Sequence, residues 1–207
     1  MAITTYATLV TAVGNWIERD DLADRIPEFI ALAEGVANRK LDTRQMYTRN
    51  ASFTIDSVTE SLPTGFDGVV SFKLNTTPTV QLVSRKADDF DDPLEASFTS
   101  SGKPRYYTII GDTFVFSPSP DSAYTATLIY RTRLTALSAV NTTNWLLTAY
   151  PDVYLHGAMA FAHQYLEDAA MEAKFMAAFL AGLSDINAHQ SRYGYGSSTA
   201  RRVKGFS

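Results

Sequence analysis

Cysteine is missing altogether from the 207 residues. That removes disulfide frameworks, thiolate zinc sites and thiol nucleophiles from consideration. Histidine is nearly as scarce: His156, His163 and His189 are the whole supply, and all lie near the C-terminus. No apolar run approaches the roughly 20 residues that span a bilayer. The richest, Ala158 to Ala162, is short and flanked by His156 and His163. The opening Met1-Ala2-Ile3-Thr4-Thr5-Tyr6 lacks the basic region and apolar core of a signal peptide. The three glycosylation sequons, from Asn50, Asn75 and Asn141, carry little weight without one. These absences point to a soluble, cytosolically made chain with no membrane partner. Phosphate-binding P-loop, Rossmann glycine and G-x-S-x-G patterns are also missing, so the sequence offers no nucleotide site or hydrolase elbow. The expectation is a non-enzymatic protein without a cofactor.

What is present is enough to fold without staples. The chain is 45% hydrophobic and 12% aromatic, and a chain of this length removes about 70% of its unfolded surface from water. One large domain, or one domain carrying an insertion, fits the length. Net charge is −4, which speaks against a general nucleic-acid binder. The charge is unevenly placed. Residues 191–207 hold Arg192, Arg201, Arg202 and Lys204 and no acid, so a +4 tail follows a −8 body.

Periodicity divides the chain. Tyr6, Leu9, Val10, Val13 and Ile17 share one helical face. Thr4 or Thr5 can cap that helix, and Asp20-Asp21 should end it. Ile26, Phe29, Ile30, Ala33, Val36, Ala37 and Leu41 form a second stripe, with Asp24 as the expected N-cap and Pro27 in the first turn. From about residue 51 the period becomes two. Phe53 and Ile55, then Val80 and Leu82, alternate with polar residues, and Tyr124, Ala126, Leu128 and Tyr130 share one strand face. Gly111-Asp112 divides two alternating arms between Tyr106 and Phe116, which predicts a hairpin with a type II′ turn. The helical period then returns: Pro151 opens a helix carrying Leu155, Met159, Ala162 and Leu166. After a break near Glu167-Asp168, Phe175, Phe179, Leu183 and Ile186 mark another. The predicted fold class is α+β: a helical bundle from residues 1–49 and 134–190, an inserted antiparallel β module at 50–133, and a flexible, aperiodic tail at 191–207.

Two clusters could carry chemistry. His156, His163 and Glu167 share roughly one helical face, yet their spacing is not the i, i+4 pair of metalloproteases. Ordinary interfacial or surface histidines are the simpler reading. Asp88, Asp89, Asp91 and Asp92 make the densest acidic run, with Glu95 close by. They lack the glycine and terminal glutamate register of an EF-hand, so a solvated inter-strand loop is preferred over a metal site.

Two blocks carry a resemblance. The first is Ile26-Pro27-Glu28-Phe29-Ile30-Ala31-Leu32-Ala33-Glu34 with Asn38-Arg39-Lys40-Leu41. The second is Asn144-Trp145-Leu146-Leu147, then Tyr150-Pro151-Asp152-Val153-Tyr154-Leu155-His156-Gly157-Ala158, then Tyr165-Leu166-Glu167-Asp168. Gly102-Lys103-Pro104-Arg105-Tyr106-Tyr107, Phe116-Ser117-Pro118-Ser119-Pro120 and Tyr130-Arg131 add a third, weaker stretch. Together, over roughly residues 4–190, the chain resembles the head-tail adaptor (head-completion, or connector) proteins of tailed bacteriophages.

The resemblance implies a helical bundle with an inserted β module, assembled as a twelvefold ring beneath the portal at the head-tail junction of the virion. Its implied partners are the portal protein, other copies of itself, tail or nozzle proteins, and packaged DNA that passes through the channel without sequence-specific binding. Assembly would take place in the cytoplasm of the bacterial host. Family members commonly grip the portal with a C-terminal segment. That role would fall on Arg192, Tyr193, Tyr195, Arg201, Arg202, Lys204 and Phe206, with the aromatics as anchors. Tyr150, Tyr154 and His156 are candidate subunit contacts, or else ordinary partly buried positions. Asp88, Asp89, Asp91 and Asp92 would repel DNA phosphates if their loop faced the channel. Two other functions compete. The Arg/Tyr/Gly tail could serve a nucleic-acid-binding accessory protein, and His156, His163 and the acidic run could serve a metal-dependent hydrolase.

Overall fold

A computed structural model describes residues 2–90 and 101–194. Contacts divide the chain into two units: a helical one, from residues 1–45 and 134–207, and a β module, Met46–Arg133, inserted into it. The α+β reading is thus what the chain adopts.

Among the described residues five helices build the helical unit: α1 (Tyr6–Ile17), α2 (Ile26–Lys40), α3 (Trp145–Ala149), α4 (Pro151–Tyr165) and α5 (Ala169–Gly194). Thr5 caps α1 through a reciprocal box. Its hydroxyl accepts from the Thr8 N–H at 3.3 Å, and the Thr8 hydroxyl accepts from the Thr5 N–H at 2.9 Å. The helix stops at Glu18, a left-handed residue with φ of 54°, two positions before the acidic pair expected to end it. Asp24 is not the cap of α2. Residues Asp20–Arg25 form a 3-10 turn that runs straight into the helix, so Asp24 lies inside helical backbone and Arg25 holds the N-cap position without a side-chain capping bond. Pro27 sits in the first turn of α2, where its missing N–H breaks nothing.

Helix α4 is the axis of this unit. Val153, Tyr154, Leu155, Gly157, Ala158, Met159, Ala160 and Ala162 are all buried, a pattern that wraps round the helix rather than striping it. Such a helix is covered on every side; α1, α2, α3 and α5 supply the cover. Gly157 lets it happen. A β-carbon there would sit 2.9 Å from the Ala33 Cβ and 3.0 Å from the Phe179 ring. The expected stripe of α5, namely Phe175, Phe179, Leu183 and Ile186, is buried throughout. The break between α4 and α5 falls at Glu167, left-handed with φ of 57°.

Among the described residues the β module has eight strands in two sheets: β1 (Tyr47–Ile55), β2 (Thr59–Ser61), β3 (Phe66–Leu74), β4 (Val80–Gln81), β5 (Val83–Ser84), β6 (Tyr106–Ile110), β7 (Thr113–Ser117) and β8 (Tyr124–Thr132). One sheet runs β1-β8-β3-β4 and the other β2-β7-β6-β5. The strand pairing is antiparallel, as expected, with one short parallel contact between β5 and β6. The β6–β7 hairpin pairs Ile110 with Thr113 across Gly111-Asp112. Backbone φ is positive at Gly111 and not at Asp112, as a type II′ turn requires. Both sheets contribute to one core of Ile55, Phe72, Leu74, Leu82, Tyr107, Phe114, Phe116, Ala126, Leu128 and Tyr130. Phe72 is its hub, with the rings of Phe53, Tyr107, Phe114 and Phe116 all centred 5.2–5.8 Å away.

Candidate assembly surfaces and the network beneath them

The recognisable sequence blocks lie over a buried polar network. Asn144 caps α3 by accepting from the Leu147 N–H at 2.9 Å. Its amide donates to the Thr135 carbonyl at 2.9 Å and to the Tyr154 hydroxyl at 2.6 Å. Tyr154 in turn donates to Glu34 Oε1 at 2.9 Å, and the same oxygen accepts from the Leu137 N–H at 2.9 Å. Glu34 is only 6% exposed, and burial raises its pKa above the ordinary carboxylate range. The bonds from Leu137 and Tyr154 pull the other way. Tyr154 is shifted upward too, first by burial and then by the neighbouring carboxylate. Asn38 accepts from the Leu134 N–H at 2.7 Å, and Asn187 holds the Lys40 carbonyl at 2.8 Å and the Asp42 N–H at 2.9 Å. These amides pin the chain where it leaves and re-enters the helical unit.

That network relocates one expected contact residue. Tyr154 is 1% exposed and spends its hydroxyl inside the unit, so it has no surface to offer a neighbouring subunit. Its apolar neighbours on α4 put it in the interior. Tyr150 and His156 are half-buried. Tyr150, at the junction of α3 and α4, lines an open groove of about 410 Å³ with Asp152, Val153, Asp185 and His189. His156 packs beside Phe175, at 6.1 Å between ring centres, and His163 stacks on that ring at 5.4 Å and 10°. His163 Nδ1 lies 3.5 Å from an Asp168 carboxylate oxygen. The two histidines therefore flank one phenylalanine instead of converging. No group of three or more His, Asp or Glu able to hold a metal occurs among the described residues. No helix among them is long and apolar enough to cross a membrane.

Of the acidic run, Asp88 and Asp89 lie on a single helical turn, Ala87–Phe90, while Asp91 and Asp92 fall outside the described residues. Arg192 and Tyr193 belong to the last turn of α5, which continues to Gly194. The aperiodic tail was expected from 191, so its first four residues are helical instead. Tyr195, Arg201, Arg202, Lys204 and Phe206 lie outside the described residues.

The structure adds surface residues that the sequence reading passed over. Trp16 and Tyr165 are each 54% exposed, and Leu32 is 52% exposed. Trp16 contacts Phe175 at 6.3 Å, Tyr165 contacts Phe29 at 5.8 Å, and the Arg25 guanidinium lies 6.0 Å from the Tyr165 ring centre. Large aromatics and arginine on one surface are the composition of interface anchors. Trp16 sits in α1 on the same turn as Ile17, one position outside the stripe, which is the signal a closer look at the helical face would have caught. Glu34 announced itself similarly, as an acid on the buried stripe between Ile30 and Ala37.

No curated protein matches the chain significantly. The family model for the SU10 adaptor protein does match, over residues 4–203, covering the helices, the inserted module and most of the basic C-terminal segment. The chain therefore belongs to the SU10 adaptor family, the structural head-tail adaptors of bacteriophages.

Proposed function

We propose that this adaptor is one subunit of a twelvefold ring docked beneath the portal, extending the DNA channel and presenting the surface to which the tail attaches. The observation that carries the reading is the family match along nearly the whole chain. The exposed anchors Trp16 and Tyr165 and the groove at Tyr150 support it, since each copy presents apolar and aromatic surface that the subunit alone leaves uncovered. A ring of this kind uses heterologous contacts, so one face of a copy meets a different face of the next. Tyr150 and His156 remain the proposed subunit contacts. The basic aromatic segment with Arg192, Tyr193, Tyr195, Arg201, Arg202, Lys204 and Phe206 is the proposed portal grip. Asp88, Asp89, Asp91 and Asp92 are the proposed channel-facing acids.

Mass photometry of the subunit mixed with its portal tests the ring. Twelve copies of the 22.8 kDa chain add about 274 kDa to the portal. A stable product holding one or two copies refutes it.

A further inference from the structure

Charge is segregated within the β module. Residues 46–133 contain eight cations and ten acids. Four of those cations gather on the outer face of the β1-β8-β3-β4 sheet. The register sets this out: Arg131 pairs with Tyr47, Ile129 pairs with both Arg49 and Ser71, and Thr127 pairs with Lys73. Directly paired residues share a face. Their neighbours Tyr130, Leu128 and Phe72 point into the core. Arg133 continues the series, because Asp67 binds it at 3.2 Å and also pairs with Arg131. Asp67 is the acid that pairs with both Arg131 and Arg133 of this face. The surface is therefore about +3 on a chain whose total is −4. Arg49 and Lys73 make no ion pair among the described residues.

The layout says what kind of anion suits it. From Arg133 to the row of Lys73 is six residues of strand, about 20 Å, and the three strands span about 10 Å across. Cations spread over such a flat area cannot close on a single phosphate. They suit a long, regularly charged polymer, and each strand of DNA presents a phosphate about every 3.4 Å of axis. Ser71 lies between the cations, and a hydroxyl bonds phosphate oxygens without reading sequence.

We infer that the outer face of this sheet is a sequence-independent contact surface for the phosphate backbone of double-stranded DNA. The inference deepens the ring reading by giving the subunit a face that holds DNA, apart from the acids proposed to repel it, and rests on that reading for its biological setting.

The test is fluorescence anisotropy of the full-length subunit with a labelled 30-base-pair duplex across a salt series. Three phosphate contacts give a slope of about −2.7 in log K against log salt, so affinity should fall about 40-fold between 50 and 200 mM salt. Arg49→Gln with Lys73→Gln should cut the slope to about −0.9, with an unchanged circular dichroism spectrum. Arg201→Glu with Arg202→Glu should keep the wild-type slope. The inference is overturned if the wild type does not bind at 25 mM salt. It is equally overturned if the sheet variant binds like wild type, if the tail variant alone loses binding, or if anionic vesicles or polyglutamate compete as well as DNA does. The mass of the portal complex is measured separately, so loss of DNA binding with a full ring refutes only this surface.

Discussion

Glycine 157 offers the sharpest test of how the helical unit packs. In an isolated helix, replacing glycine with alanine stabilises by about 1 kcal/mol. At Gly157 the new methyl would lie 2.9 Å from the Ala33 Cβ and 3.0 Å from Phe179 Cε2. Carbon pairs prefer about 3.5–4.0 Å. The Ala33 methyl is fixed to the backbone of α2, and Phe179 is 1% exposed with no room to swing aside. Relief must come from moving whole helices, and overpacking of this kind costs about 1–3 kcal/mol. The clash outweighs the propensity gain, so Gly157→Ala should be destabilised by about 1 kcal/mol net. Gly35, on α2, supplies the control. Its nearest neighbour would be the Arg39 guanidinium at 3.6 Å, the mobile end of a long side chain. There the propensity gain stands alone, and Gly35→Ala should gain about 0.5–1 kcal/mol. Urea melts followed at 222 nm report mainly on the helices, and the two variants should shift the midpoint in opposite directions. A Gly157→Ala midpoint at or above wild type would refute the close-approach argument.

Three further outcomes follow from the same packing. Because the folded-state pKa of Glu34 is raised, its contribution is fully present below the ordinary carboxylate range and is lost as pH rises through the raised value. Glu34→Gln keeps an acceptor oxygen without the charge, so melts at pH 4.5 and pH 7 should show it gaining on wild type as pH rises; an unchanged difference argues against a buried carboxylate. Phe72→Ala should cost about 3–5 kcal/mol, and hydrogen exchange should show the loss confined to residues 46–133. Trp16→Ala should weaken portal docking at least tenfold while leaving the melt near wild type; native docking by that variant removes Trp16 from the interface.

Much of this fold was legible because burial leaves a period. The stripes from Leu9 to Val13 and from Phe175 to Ile186 translate directly into buried faces, and Gly111-Asp112 specifies its own turn. Failures occurred where the controlling contact is distant. Asp24 has the chemistry of a cap, but the 3-10 turn around it joins α2 without a break. Tyr154 read as a subunit contact or an ordinary partly buried position, because nothing local says that Glu34 and Asn144, 120 and 10 residues away, will surround its hydroxyl. The tail's composition was plain, yet composition does not reveal that α5 carries its first residues. Tyr165 shows the converse, a large aromatic whose exposure only the coordinates display, whereas the exposure of Trp16 follows from its place outside the α1 stripe.

The side-chain amides of Asn38 and Asn187 have a consequence for how such chains diversify. They fasten Leu134, Lys40 and Asp42 to the helices through bonds that involve no residue of the insertion. The bundle thus closes its own doorway. Anything spliced between those posts, longer, shorter or of another architecture, inherits a folded socket without having to help build it. Exchanging the whole insert for an unrelated domain with nearby termini should then leave the helices intact, and the socket becomes a grafting point for redesigning what the adaptor presents.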